Sequence, residues 1–164
     1  MATRRTVWSA AAFLILVIVV FAVLRVSEDI PNLTSGRIPP PDDFANRYAR
    51  HPWIAYLHIV PGLVYLLAAP FQFSASARSR NIERHRRRGR ILLVLGLVSG
   101  AFALAFGLLF PFGGGVQATA TALFGAWFLL SLSLAYRSIR RGDLVEHRRW
   151  MIRAFATGLA VGTI

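Results

Sequence analysis

Apolar residues in this chain come in long runs. Four of them, residues 7–24, 53–73, 91–110 and 116–136, each cover about 20 positions, and a fifth opens at Trp150 and is still apolar at Ile164. A helix rises about 1.5 Å per residue, so about 20 residues match the hydrocarbon core of a bilayer. The pattern predicts an all-α fold: a polytopic transmembrane helical bundle with four full spans plus a fifth (150–164) cut short at the C-terminus, forming one transmembrane domain over residues 1–164.

The polar intervals divide these runs. Residues 25–52 include "IPNLTSGRIPPPDDFANRYARHP", rich in proline and turn formers, which predicts an extended external loop. Its "FANRYARHP" end is expected to form a short interfacial helix leading into the second span. "PFGGG" at 111–115 predicts a tight turn, making spans three and four an antiparallel hairpin. The first run follows Arg4 and Arg5 as a signal peptide would, but it exceeds the usual 7–15 apolar residues and no small-x-small site follows in "VLRVSEDI". It reads as a retained first helix.

Composition agrees: 55% of residues are hydrophobic and 16% charged. There is no cysteine, which excludes disulfides and thiolate metal sites. Every one of the 19 basic residues is arginine, and 15 fall in the N-terminus, the 74–90 interval, the 137–149 interval and Arg153. The 25–52 loop holds the other four with Glu28, Asp29, Asp42 and Asp43, and is nearly neutral. The positive-inside rule then predicts a multi-pass protein of the cytoplasmic (inner) membrane with its N-terminus inside. The expected partners are the lipid bilayer and anionic lipid headgroups at the cytoplasmic face. The formal charge of +12 is one-sided and sits at helix ends, so no nucleic-acid partner is expected. Oligomeric state and partner subunits have no signature here.

Two arginine-rich segments echo each other. "ERHRRRGR" (83–90) and "EHRRWMIR" (146–153) each place a glutamate just before His-Arg-Arg and lead into an apolar run. If the fifth helix repeats the third, a sixth should follow as the partner of the fourth. Asp143 and Glu146 have capping-box spacing, which starts a helix near Leu144 with His147 in its first turn. A helix start ringed by guanidinium groups attracts anions such as lipid phosphate, a haem propionate or a soluble substrate. The simpler reading is that the arginines fix topology and snorkel to headgroups. His85 and His147 are expected at one depth, where imidazoles can ligate a b-type haem with Arg86, Arg148 and Arg153 available to its propionates. The competing reading is a pair of interfacial histidines bonded to backbone.

The second span carries a polar stripe. His51, His58, Tyr65 and Gln72 recur every seven residues and so share one helix face, with Ala55, Gly62 and Ala69 beside them. Such a face should point into the bundle, as a structural seam or as a path for protons or a small molecule. No residue set for catalysis emerges.

These landmarks, "FANRYARHPWIAYLHIVPG", "APFQF", "HRRRGR" and "EHRRWMIR" in order, resemble the bacterial family of predicted membrane proteins catalogued as domain of unknown function 2306. The resemblance covers about residues 40–164. It implies a multi-pass protein without an established activity, with His58, Gln72, His85, Arg86, Gly89, His147, Arg148, Trp150, Met151 and Arg153 as characteristic positions. It also implies a chain continuing past the fifth helix. The functional expectation is a bundle that binds b-type haem or another small redox ligand through its inner histidines and arginines. The alternatives are a non-catalytic scaffold or partner subunit, or a proton or small-molecule pathway along the second span.

Overall fold

The computed structural model describes residues 2–162. Thr163 and Ile164, the end of the fifth apolar run, lie outside the described residues, and so does the side chain of Arg4. The chain is helical throughout: α1 (Ala2–Ser35), α2 (Asn46–Arg50), α3 (Pro52–Gln72), α4 (Ala75–Arg80), α5 (Ile82–Leu109), α6 (Gly114–Arg140) and α7 (Leu144–Val161). Arg5–Ser35, α3, α5 and α6 are each long and apolar enough to cross a membrane. α7 has 18 residues and is not among them, because Glu146, Arg148, Arg149 and Arg153 fall within its first ten positions.

Several helices outrun the apolar patterns. α1 was expected to stop at Leu24 and continues to Ser35, so residues 25–35 are not extended loop. Arg25 closes ion pairs on the next turn with Glu28 at 3.1 Å and Asp29 at 2.6 Å. The Ser27, Thr34 and Ser35 hydroxyls donate to carbonyls four residues earlier, so the turn formers are satisfied inside the helix. Pro31 is accommodated within it, and Gly36, at φ +68°, ends it. α5 and α7 likewise start at Ile82 and Leu144, ahead of the apolar runs at 91 and 150, α7 where its capping spacing predicts, so much of the polar 74–90 interval is helix. α6 starts at Gly114 and ends at Arg140. At the α5–α6 turn, Gln117 Oε1 accepts from the backbone N–H groups of Phe112 and Gly113.

α3 packs on α5, α5 on α6 and α6 on α7, while α1 lies along α3 and α7. Trp8 meets Phe73 at one end and Asp29 meets Tyr56 at the other, so α1 runs antiparallel to α3. Tyr65, Leu66 and Ala69 of α3 join Leu92, Leu132, Ala154, Phe155 and Leu159 in the core, with Ile18 from α1. The opposite face of α3 is exposed at Trp53, Leu57, Val60, Val64, Leu67 and Phe71, the 3–4 spacing of a lipid-facing stripe. Close approach of α3 and α5 needs small residues: a Cβ on Gly62 would stand 2.7 Å from Ser99 Oγ, and one on Gly96 would stand 2.9 Å from Leu132 and 3.2 Å from Tyr65. The bundle thus has two unlike ends. One carries α4, the start of α5 and the α6–α7 turn; the other carries α2 and the α5–α6 turn.

Candidate functional site

At the arginine-bearing end, two helix starts are built alike. Asn81 Oδ1 accepts from Arg84 N–H at 2.8 Å, and Asp143 Oδ1 accepts from Glu146 N–H at 2.9 Å. Each cap sets a histidine four residues on: His85 N–H bonds Asn81 O, and His147 N–H bonds Asp143 O. The expected start of α7 is therefore found, but only half of the capping box forms, because the Glu146 carboxylate pairs with Arg149 instead. The Asn81 cap has its sequence signal in an asparagine directly ahead of a helical stretch.

His85 and His147 are near enough to interact electrostatically. They do not face one cavity. His147 Nδ1 lies 2.9 Å from the Ala135 carbonyl, an acceptor only, so Nδ1 carries a proton and donates it there. His85 instead lines a groove of about 340 Å³ between α3 and α5, with Gln72, Asn81, Arg84 and Arg88 towards one end and Val64, Ala68, Ile91 and Leu95 along the rest of its length. His147 is not among its lining residues. Arg86 and Arg148 are exposed, and exposed Arg153 holds its guanidinium 4.3 Å over the Trp150 ring. Among the described residues no three His, Asp or Glu side chains converge to hold a metal ion.

The polar stripe of α3 faces inward. His58 Nδ1 is 3.1 Å from both Ser99 Oγ and Ser99 O, and the Ser99 hydroxyl donates to His58 O at 2.8 Å. Tyr65 is 1% exposed and packs edge-on against Phe128. Gln72 is half-buried above Gly89. His51, however, is not on α3: it sits at the α2–α3 junction with φ −129° and ψ 51°, because Pro52 opens the next helix. Its ring stacks on Phe110 at 3.7 Å. The Tyr65 hydroxyl and Gln72 Oε1 are buried without hydrogen-bond partners among the described residues, as is Ser131 Oγ on α6. Among the described residues no hydrogen bond joins one member of the stripe to the next.

The other end holds a cluster that counting charges concealed. Asp29 is 1% exposed, with one oxygen on Arg25 and the other 2.9 Å from the Tyr56 hydroxyl. Arg47 lies between the Phe44, Tyr48, Phe106 and Phe112 rings, its guanidinium 4.2 Å from the Phe44 centroid, and donates to Phe110 O at 3.1 Å. Burial lowers the Arg47 pKa and raises that of Tyr48, against the opposing pull between the two. The cluster pins α1, α2, α3 and the end of α5 together. Its only sequence signal was arginine and aspartate inside a stretch that read as loop.

Four bilayer-length apolar helices, a charged cluster at each end and an outward apolar face on α3 define a polytopic helical membrane protein. The chain belongs to the DUF2306 family, described as a predicted membrane protein, whose model matches residues 55–164. The match begins beyond "FANRYARHPW" and contains His58, Gln72, His85 and His147. No curated protein and no solved structure matches the chain.

Proposed function

We propose that this membrane protein binds a small ligand in the α3–α5 groove at its histidine–arginine end. One observation carries the reading: Gln72, in the wall of a groove with cationic groups at one end and apolar side chains along the rest, keeps a buried acceptor without a partner among the described residues. Buried polar atoms are satisfied in folded proteins by protein, water or ligand. The orientation that goes with this reading puts the cationic end of the groove at the cytoplasmic face of the inner membrane, among anionic headgroups. A b-type haem clamped by His85 and His147 is disfavoured, since only His85 lines the groove and Arg86, Arg148 and Arg153 do not. A redox ligand held by His85 alone remains one chemistry of the site. The polar face of α3 reads as a seam rather than a pathway at His58, because both of its bonds go to Ser99.

Purification in mild detergent, with a visible spectrum and mass spectrometry of the organic extract, tests this. The expected result is a colourless preparation carrying a stoichiometric apolar or amphipathic molecule that Gln72→Leu or Val64→Trp removes. A Soret band lost in His85→Ala would turn the reading to haem. A preparation with nothing bound would leave a scaffold.

A further inference from the structure

We infer that the groove takes an anionic amphiphile, its acid head between Arg84 and Arg88 and its acyl chain along Ala68, Ile91 and Leu95; this rests on the groove being the ligand site. Arg84, Arg88, Ile91 and Leu95 follow 4–3–4 spacing, so they form one face of α5. From Arg84 to Leu95 that face runs about 16 Å along the axis, cationic at one end and apolar at the other. Val64, Ala68 and Gln72 form the facing wall of α3 at i, i+4 spacing. Val64 and Ile91 are exposed, so the groove opens sideways towards lipid rather than into the bundle.

Charge decides the head. Arg84 and Arg88 are like charges four residues apart on one helix, which repel. Neither has an ion-pair partner among the described residues, and no carboxylate lines the groove; Glu83 stands on the adjoining face. An acid group between two guanidinium forks relieves that repulsion and forms charge-assisted hydrogen bonds. A phospholipid phosphate and a free fatty carboxylate share this chemistry. Gln72 Oε1, buried without a partner among the described residues, adds an acceptor that a glycerol hydroxyl of a lipid head satisfies and an ionised carboxylate does not. Only the acid chemistry is therefore common to the two sources.

The test uses the full chain in detergent micelles, with native mass spectrometry of added oleate against oleyl alcohol, and of dioleoylphosphatidylglycerol against dioleoylglycerol. At least one acid should bind about ten-fold better than its neutral counterpart; which of the two does so names the source. Arg84→Gln/Arg88→Gln should weaken it roughly thirty-fold, while Arg86→Gln/Arg87→Gln, equally exposed but outside the groove, should not. Equal binding of acid and neutral forms, or equal loss with the second pair, overturns the anionic class and leaves the groove as a site. Val64→Trp, at an exposed position that tolerates bulk, should abolish binding of every probe. Binding unchanged in both Val64→Trp and Ala68→Phe overturns the groove itself.

Discussion

His58 and Ser99 lock α3 to α5 by bonding each other in both directions. The Ser99 hydroxyl donates to the His58 carbonyl at 2.8 Å, and the imidazole Nδ1 returns to Ser99 at 3.1 Å. Since the serine proton is already used and its carbonyl only accepts, Nδ1 carries the hydrogen. Gly62 makes the approach possible, because any Cβ there would strike Ser99 Oγ. Ser99→Ala should therefore lower stability by about 1 kcal/mol, in the range of interhelical bonds in membranes. Gly62→Ala alone should be worse, and less damaging when Ser99 is already alanine. Thermal unfolding in detergent of the four members of this double-mutant cycle measures the coupling; independent, additive losses would refute it.

Asp29 offers a sharper test at the other end of the bundle. It is buried between Arg25 and the Tyr56 hydroxyl. Asp29→Ala leaves a guanidinium without its main counter-charge in a half-buried site, and about 3 kcal/mol of stability should be lost. Tyr56→Phe removes one hydrogen bond to a carboxylate and should lose about 1–2 kcal/mol. The double variant should resemble Asp29→Ala alone. Limited proteolysis within residues 36–45 offers a second readout, rising where α1 is released from α3.

The spans were legible because burial in lipid demands uninterrupted apolarity, a constraint that a single sequence records directly. The inward face of α3 was legible for the same reason, since Tyr65 and Gln72 share a side that lipid would penalise. Residues 25–35 were not. Proline, serine and threonine there read as turn formers, and part of the reward for extending α1 is tertiary, the contact of Asp29 with Tyr56, which local sequence does not record. Arg47 was hidden too: it counted as one charge in a near-neutral loop, whereas its partners Phe106 and Phe112 lie far along the chain. The shared depth of His85 and His147 followed from helix direction, but the side-chain turn that sends His147 to Ala135 did not. Period and charge fix which face and which end; rotamers depend on neighbours.

The paired caps predict matched effects. Asn81→Ala and Asp143→Ala each strip one backbone N–H of its acceptor, and each should lower thermal stability in detergent by about 1 kcal/mol. Asp143→Asn should recover most of that loss. Since α5 carries the groove, Asn81→Ala should also weaken ligand retention, whereas Asp143→Ala should not. Equal loss of ligand in both would mean that the two helix starts act as one site.

Orientation can be decided at two glycines. Gly36 and Gly142 end α1 and follow α6 with φ +68° and +80°, on exposed turns at opposite ends of the bundle, so a reporter domain fused at either should leave the helices intact. The arginines make the asymmetry strong. Arg78–Arg90 and Arg137–Arg153 lie at the Gly142 end, while Arg25 and Arg47 at the Gly36 end are wrapped in ion pairs and aromatic rings. Buried guanidinium groups present little charge to a headgroup surface, so the contrast between the ends exceeds the one read from counting. Retention of positive ends in the cytoplasm then predicts a cytoplasmic signal from the Gly142 fusion and a periplasmic one from the Gly36 fusion. Replacing Arg86, Arg87 and Arg88 together with glutamine should weaken the orientation bias, giving a mixed signal at Gly142, without abolishing insertion. Identical signals from the two wild-type fusions would remove an odd number of crossings between them, and with it the four-span arrangement.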